Sequence, residues 1–534
     1  MENTAEIIQD LSDRLDKLEQ QNSKLTQDNY ELAQHNSELQ SKLNWYEEQL
    51  RLANQTRYGC SREKVDDNQM QLFNEAEYGV AAKEPEPEKE EINYTRNKPK
   101  KKSKELKLEG LPERTVEYRL SEEEQICPCC EHQMHEMKSQ ESKELHYVPA
   151  HLEVVKHVQY TYACRHCQEE EIETPVVTAP KPKSVLPGSV ASASVIAHTM
   201  NQKYVEGIPL YRQEQSWHRM GIELSRQTMA NWVIKASQYW LEPLYNRMHE
   251  IMMQKDILHA DETEVQVLQE PDRAATSKSY MWLYRTGREG PPIILFDYRT
   301  TRASKHPHRF LKDFGGYLHV DGYPGYDSLS WLTLSGCFSH ARRGFDKALK
   351  VLPKDKQHAD LPSWHGLQYC NKLFDIERSL VDATPQERYR LRLERSQPVL
   401  NEFHAWLKRQ SKHALPNGYF AKAVYYCLKQ WDKLTTYLQD GRLEIDNNRA
   451  ERSIKPFVIG RKAWLFSNTP NGAKASAITY SIMETVKENG LHPFRYLTYI
   501  FEQMPNMDLE AEGAIDELLP FSPNLPEEII VDKQ

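Results

Sequence analysis

Between residues 256 and 338 the chain gives up helical periodicity for short apolar runs. Such runs must pair with one another, because an unpaired strand leaves its backbone donors and acceptors open. Residues 257–267, 279–286 and 292–298 predict three strands with short connections. A helical stretch over 304–313 follows, then strands over 316–320 and 332–338, and His340-Ala341-Arg342-Arg343 opens the next helix. The order predicts an RNase H-like α/β core: a mixed sheet with one Asp on its first strand and another on its fourth.

Those aspartates are Asp261, which ends the run Ile257-Leu258-His259-Ala260, and Asp321, which ends Gly316-Tyr317-Leu318-His319-Val320. A third acid, Glu451, falls on the first turns of a predicted helix in Ile445-Asp446-Asn447-Asn448-Arg449-Ala450-Glu451-Arg452. A lone acid is more often a surface charge. Two Asp at strand ends and a Glu on a helix can instead converge on a pair of Mg²⁺ ions roughly 3.5–4 Å apart, the clamp for in-line displacement at phosphorus. The joint placement favours the metal reading. Asp446 is either a rival third ligand or a cap for the helix, and its offset of five residues puts it on a different helix face from Glu451. The interval between Asp321 and Glu451 reads as an all-helical insertion, with candidate helices at 374–381, 386–407 and 421–438.

The N-terminus carries a heptad repeat. Leu11, Leu18, Leu25, Leu32 and Leu39 occupy d, and Ile8, Leu15, Asn22, Asn29, Asn36, Leu43 and Leu50 occupy a. Leu at d with buried Asn at a predicts a two-stranded parallel coiled coil, and hence a homodimer. A basic-zipper factor needs a basic helix just before the zipper, and residues 1–6 offer none. Residues 57–77 read as helical, followed by a disordered linker over 81–104, acidic first and then basic. Two CxxC knuckles come next, Cys127-Pro128-Cys129-Cys130 and Cys164-Arg165-His166-Cys167. They predict a zinc ribbon with Cys127, Cys130, Cys164 and Cys167 on tetrahedral Zn²⁺. Cys129, His132, His135 and His166 are alternative ligands.

Residues 210–220 and 225–236 predict two short helices around Gly221, with Trp217, Leu224, Met229 and Trp232 as a small core and Ser225 as N-cap. The spacing suits a helix-turn-helix with Arg226, Gln227 and Asn231 toward DNA. A helical hairpin that binds nothing is the bland alternative. The net charge of −9 argues against a nucleic-acid binder only if charge is evenly spread, and Arg96 to Lys104 alone holds six Lys or Arg. Nine cysteines, an odd number with four in CxxC pairs, fit a reducing cytoplasm and a metal site. The polar first residues predict no secretory signal. The uncharged stretch 184–202, with Pro187, Gly188 and His198, predicts a buried helix rather than a membrane span.

Several motifs together resemble the insertion sequence 66 family of bacterial transposases. They are Arg57-Tyr58-Gly59-Cys60-Ser61-Arg62-Glu63-Lys64, Gln71-Leu72-Phe73-Asn74-Glu75-Ala76-Glu77, the paired knuckles and Leu210-Tyr211-Arg212-Gln213-Glu214. Ala260-Asp261-Glu262-Thr263, Val320-Asp321-Gly322-Tyr323, His340-Ala341-Arg342-Arg343 and the Asp446-to-Arg452 run complete the set. The order holds from the zipper to Leu518-Leu519-Pro520. Departures are Cys129 within the zinc motif and Cys60 where an Arg-like residue is usual. The resemblance implies a DDE transposase that cuts and joins the double-stranded ends of its own element, the terminal inverted repeats, and inserts them into target DNA. It implies Asp261, Asp321 and Glu451 as the carboxylate triad for Mg²⁺ or Mn²⁺, with Asp261 bridging two ions and each of the others completing one shell. His340, Arg342, Arg343, Arg452 and Lys455 are expected to hold DNA phosphates nearby. Partners expected are DNA, a second copy and the small accessory proteins usual in the family, in the bacterial cytoplasm at the nucleoid and without a membrane.

The expected division is a coiled coil at 1–55, helix and linker at 56–105, a zinc-ribbon-like domain at 106–180 and a helix-turn-helix-like domain at 181–250. The catalytic core follows at 251–345 and 443–500, interrupted by the helical insertion at 346–442 and ended by a tail at 501–534. Two rival readings remain: a non-catalytic, zinc-dependent dimeric DNA-binding regulator, and a structure-selective nuclease of the same fold.

Overall fold

The computed structural model describes residues 17, 21–29, 31–33, 35–36, 154–163, 176–178, 180–351, 361–414 and 418–531. The zinc knuckles, the linker and most of the heptad repeat lie outside the described residues. The chain forms two units, one of residues 60–179 and one of 1–59 with 180–534. In the first, β1 (Thr161–Ala163) pairs antiparallel with β2 (Val176–Thr178), Tyr162 opposite Val177. In the N-terminal part of the second, the described residues from 17 to 36 are helical, and Leu25 and Leu32 are 58% and 59% exposed.

The folded body of the larger unit opens with helices. Ser192 caps α1 (Ala193–Tyr204) by accepting the Val195 N–H, and Ile196, Ala197 and Met200 are fully buried. The uncharged stretch is thus a buried helix, although it starts later than its composition suggested. α2 (Leu210–Arg219) and α3 (Arg226–Ala236) follow, the turn between them closing at Gly221 in the left-handed region. Ser225 caps α3 through the Thr228 N–H, and Trp217, Met229 and Trp232 are buried as anticipated. α4 (Glu242–Met253) then leads into the sheet.

That sheet has the order β5-β4-β3-β6-β7. β3 (Ile257–Gln266) pairs antiparallel with β4 (Lys278–Thr286), and β4 with β5 (Ile294–Arg299). On its other side β3 runs parallel to β6 (Tyr317–His319), which runs parallel to β7 (Thr333–Ser335), with the short α5 (Lys305–Phe310) before β6. α6 (Phe338–Lys350) begins two residues before His340, with Cys337 as its N-cap residue.

β5 is an edge, and an open row of N–H groups invites pairing with another chain. Here α12 (Pro470–Glu488) lies over it: Ile294 N–H donates to Thr485 Oγ1 at 3.0 Å and Phe296 N–H to Ser481 Oγ at 2.7 Å. α12 is buried nearly all round from Ala473 to Val486, the mark of a helix at the centre of a fold.

Between β7 and α11 (Asn448–Trp464) the described chain is helical: α7 (Pro362–Ser379), α8 (Pro385–Ser411), α9 (Tyr419–Lys429) and the short α10 (Trp431–Thr435). These pack around their own cluster, with Phe345, Leu373, Phe403, Leu407 and Val424. The single helix expected over 421–438 is broken at Gln430. Thr384 starts α8 with a capping box to Glu387. From α8, the buried Arg392 reaches Glu377 and the carbonyls of Tyr437 (2.8 Å), Asp440 (3.0 Å) and Leu443 (2.8 Å). This one side chain thereby fastens the return segment that delivers α11 to the sheet. A last helix, α13 (Pro493–Gln503), packs on α1. Among the described residues no helix is long and apolar enough to cross a membrane.

Candidate active site

Asp261 does not end its strand; β3 continues to Gln266, and Asp261 stays in register with Leu283 of β4. What ends is the parallel pairing with β6, whose last pair is His259 with His319. Asp261 and Asp321 each lie two residues beyond that pair. The next residue, Glu262, is held inside, its side chain 1% exposed.

Alternation along β3 puts His259, Asp261 and Thr263 on one face and Ala260 and Glu262 on the other. The first face meets α11. Asn447, just before that helix and only 1% exposed, donates from Nδ2 to the Ala260 carbonyl at 2.8 Å and pairs through Oδ1 with His259 Nδ1 at 3.0 Å. Its own N–H reaches Cys337 Sγ at 3.2 Å. Glu451 sits in the first turn of α11, where unpaired backbone N–H groups favour a negative charge. Asp446 accepts the Asn448 N–H at 3.1 Å and the Ser339 hydroxyl at 2.9 Å, so its carboxylate is taken up by the helix start.

The opposite face of β3 organises the loop after β6. Asp321 Oδ1 accepts the Tyr323 N–H at 2.8 Å, which fixes its orientation. Glu262 accepts the Tyr326 hydroxyl at 2.6 Å and Arg302 Nε at 2.9 Å, and that guanidinium lies 3.8 Å from the Tyr323 ring centre. In the sequence Glu262 is one residue of the run Ala260-Asp261-Glu262-Thr263 and nothing more. Its role in pinning the Asp321 loop could not be read there, because Arg302 and Tyr326 are distant in the chain.

Asp261, Asp321, His340, Arg343, Asn447, Glu451, Ile454 and Lys455 line one open cavity of about 250 Å³. Burial pushes the Asp261 carboxyl well above the usual carboxylate range, and Glu262, Asp321 and Glu451 push it further. Arg343 is bonded to Glu451, and His340 Nδ1 lies 3.7 Å from the same carboxylate. Burial and Arg343 hold the His340 imidazole below its ordinary pKa. Among the described residues, Cys337, His340 and Glu451 bring ligand atoms within 4.8 Å of one another. The Cys337 thiol, however, is buried and pushed up to about 12. Hard divalent cations suit the carboxylates better than this thiol. Asp321 and Glu451 thus add to the cost of ionising Asp261 in this half-buried cavity, and a cation bound there removes that cost. The donor set therefore fits Mg²⁺ or Mn²⁺.

The other anticipated residues are elsewhere. Arg342, on α6, is exposed and donates to Asn371 at 2.8 Å. Arg452 is exposed and does not line the cavity. Arg226, Gln227 and Asn231 are exposed on α3, with Gln227 Nε2 3.3 Å from Asn231 Oδ1.

Comparison with known families bears directly on this site. Residues 188–475, which include all three acids, match the family described as Transposase IS66 family. The chain belongs to that family. Residues 124–168 match the zinc-finger binding domain of transposase IS66 and include all four knuckle cysteines. Residues 481–521 match the IS66 C-terminal element, and 45–116 match the family described as Transposase C of IS166 homeodomain. Three uncharacterized proteins of Sinorhizobium fredii are similar. The chain is 29% identical to y4jD over 75% of its own length and 78% of that protein's. Identity to y4hP is 25%, covering 74% and 73%, and to y4qI 30%, covering 63% and 64%.

For this IS66-family chain the anchoring of α11 is open to test. Asn447→Ala leaves the Ala260 carbonyl unsatisfied and is expected to cost about 1–3 kcal/mol. Urea unfolding measures it, and an unchanged midpoint contradicts the anchoring role.

Beneath the cavity, His259 and His319 stack at 4.2 Å, both fully buried. Burial lowers His259 from 6.5 to about 4, and burial with His259 itself lowers His319 well below 6.5. A histidine depressed on folding takes its proton in the unfolded chain first. Stability is therefore full above pH 6.5 and falls as pH drops from there toward about 4. The urea midpoint should decline steadily over that window. A flat midpoint would show that the rings are not buried neutral.

Proposed function

We propose that the chain is a DDE transposase that cleaves the DNA ends of its own insertion sequence and joins them to target DNA. The observation that carries this is the meeting of Asp261, Asp321 and Glu451 in one cavity with basic groups at its rim. Asp261, Asp321 and Glu451 are the residues that would hold divalent cations. Bound there, such cations polarise a phosphoryl oxygen and make water or a 3′-hydroxyl a better nucleophile at neutral pH. The chain supplies the rest. The Tyr323 N–H fixes the Asp321 carboxylate, while Asn447 sets where Glu451 stands against β3. Arg343, once released from Glu451, and Lys455 are placed to hold phosphate oxygens.

An RNase H-like core is the architecture this reading takes. It is supported by a five-stranded sheet with Asp261 on the first strand, Asp321 just beyond the fourth and Glu451 on a later helix. In the same reading Cys127, Cys130, Cys164 and Cys167 hold a structural Zn²⁺, supported by the zinc-finger match. Arg226, Gln227 and Asn231 contact DNA from α3. The N-terminal helix dimerises through leucines such as Leu25 and Leu32, which a single chain leaves exposed. A purely DNA-binding regulator has no use for three acids brought to one cavity, with Asp261 buried among them.

The test is incubation of the full chain and Mg²⁺ with duplexes from the DNA flanking this reading frame. Strand cleavage at the element boundary, and joining of a pre-cleaved 3′ end to a second duplex, are the expected products. Cleavage without joining marks a simple nuclease, and binding without either marks a regulator.

A further inference from the structure

The helix that carries Glu451 ends abnormally. Leu465, directly after α11, has φ 64° and ψ −51°, and the Phe466 N–H donates back to the Trp464 carbonyl at 2.8 Å. That is a classic γ-turn, rare and strained for a branched side chain. The turn is clamped on both sides. Leu465 N–H is bonded to the Arg461 carbonyl at 2.7 Å, Ser467 N–H to the Gln266 carbonyl at 2.9 Å, and Leu268 N–H to the Ser467 carbonyl at 3.0 Å. Trp464 packs inward on Phe457, ring centres 5.5 Å apart. Leu465 and Phe466 are sent outward instead, 65% and 43% exposed. Backbone strain has been accepted in order to present two large apolar side chains to the outside.

What covers them is indicated by the rest of the helix. Glu451, Lys455, Val458, Lys462 and Leu465 recur at intervals of four and three, so they share one stripe of α11. The stripe runs from the candidate catalytic acid over two lysines to the apolar tip. Its charge suits a polyanion, and its length, about 21 Å over the fourteen steps from Glu451 to Leu465, spans roughly six base pairs of duplex. Proteins that bend or open DNA insert apolar side chains between base steps.

We propose that Leu465 and Phe466 form a wedge that enters the element-end duplex about six base pairs from the scissile phosphate and unstacks one step there. The inference rests on the DNA-cleaving reading of the Glu451 cavity and gives that site a means of deforming its substrate.

The probe is an element-end duplex carrying 2-aminopurine at successive positions, bound by the full-length chain with Asp261→Asn to prevent cutting. Fluorescence is expected to rise at one or two adjacent positions. Phe466→Ala added to that chain should abolish the rise, and Phe466→Trp should keep it. In the otherwise wild-type chain Phe466→Ala is expected to slow cleavage of paired ends at least about tenfold, and a mismatch at the bright position should restore it. Leu465→Gly, which relieves the strain and removes the side chain, guards against misfolding as the cause and should act like Phe466→Ala. No bright position, or a rise that survives both substitutions, overturns the wedge. Normal DNA behaviour together with loss of self-association in Phe466→Ala also overturns it, because the patch is then covered by a second copy. Cleavage without unstacking defeats the wedge alone, while unstacking without cleavage by the wild-type chain defeats the catalytic reading alone.

Discussion

Asp261→Asn is expected to reduce strand cleavage by about three orders of magnitude or more while leaving element-end binding intact. The loss follows from removing a ligand whose cations supply several kcal/mol of transition-state stabilisation, at 1.36 kcal/mol per tenfold. Glu451→Gln should behave alike. A second readout separates a metal-ligand role from a structural one. Without divalent cations the Asp261 carboxyl is pushed above its ordinary range by burial and by Glu262, Asp321 and Glu451. Its charged form therefore opposes folding at neutral pH, and a neutral amide of the same shape removes that opposition. Metal-free Asp261→Asn should melt no lower than the wild type and is expected to melt higher. Mg²⁺ should raise the wild-type melting temperature by the linkage of binding to folding, and should do so much less for the variant. Full cleavage by either variant, or an equal Mg²⁺ response, would sink the assignment of the triad.

How much of this was legible from the residues depends on the range of the interaction. The sheet was legible, since runs such as Ile257-Leu258-His259-Ala260 carry their own strand signal, and all five strands stand close to where they were expected. The helix pair around Gly221 was legible because its cap, turn and core lie within a few residues. The positions of Asp321, just past β6, and of Glu451, in the first turn of α11, were legible through their local contexts. The supports between them were not. Asn447 meets His259 across 188 positions, Glu262 meets Arg302 across 40, and Arg343 meets Glu451 across 108. Nothing local to Asn447 distinguishes a helix cap from a buried strut. The same limit hid the break at Gln430, where helical periodicity continues although the backbone does not.

Arg392 is the extreme of such long-range dependence, and its replacement is expected to be the most destabilising change in the helical insertion. The guanidinium is 1% exposed. It donates in a fork to Glu377, at 2.8 and 2.6 Å, and to the carbonyls of Tyr437, Asp440 and Leu443. Arg392→Ala strands a largely buried carboxylate and three acceptors together, which predicts a loss of about 3–5 kcal/mol. Lysine keeps the charge but cannot supply five donors in a plane, so Arg392→Lys should recover only part of it. Joint replacement by Arg392→Met and Glu377→Leu removes the stranded charge and still leaves the carbonyls of the return segment unmet. It should be more stable than Arg392→Ala and less stable than the wild type. Trp406 and Trp431, in and beside the insertion's apolar cluster, report the transition by fluorescence in urea. Residues 443–447 lead directly into the helix of Glu451, so cleavage by Arg392→Ala should be impaired even at temperatures where the chain remains folded. An Arg392→Ala chain with the wild-type urea midpoint would show that the return segment is held by other contacts, and the insertion would lose its place in the argument for how Glu451 is delivered to Asp261.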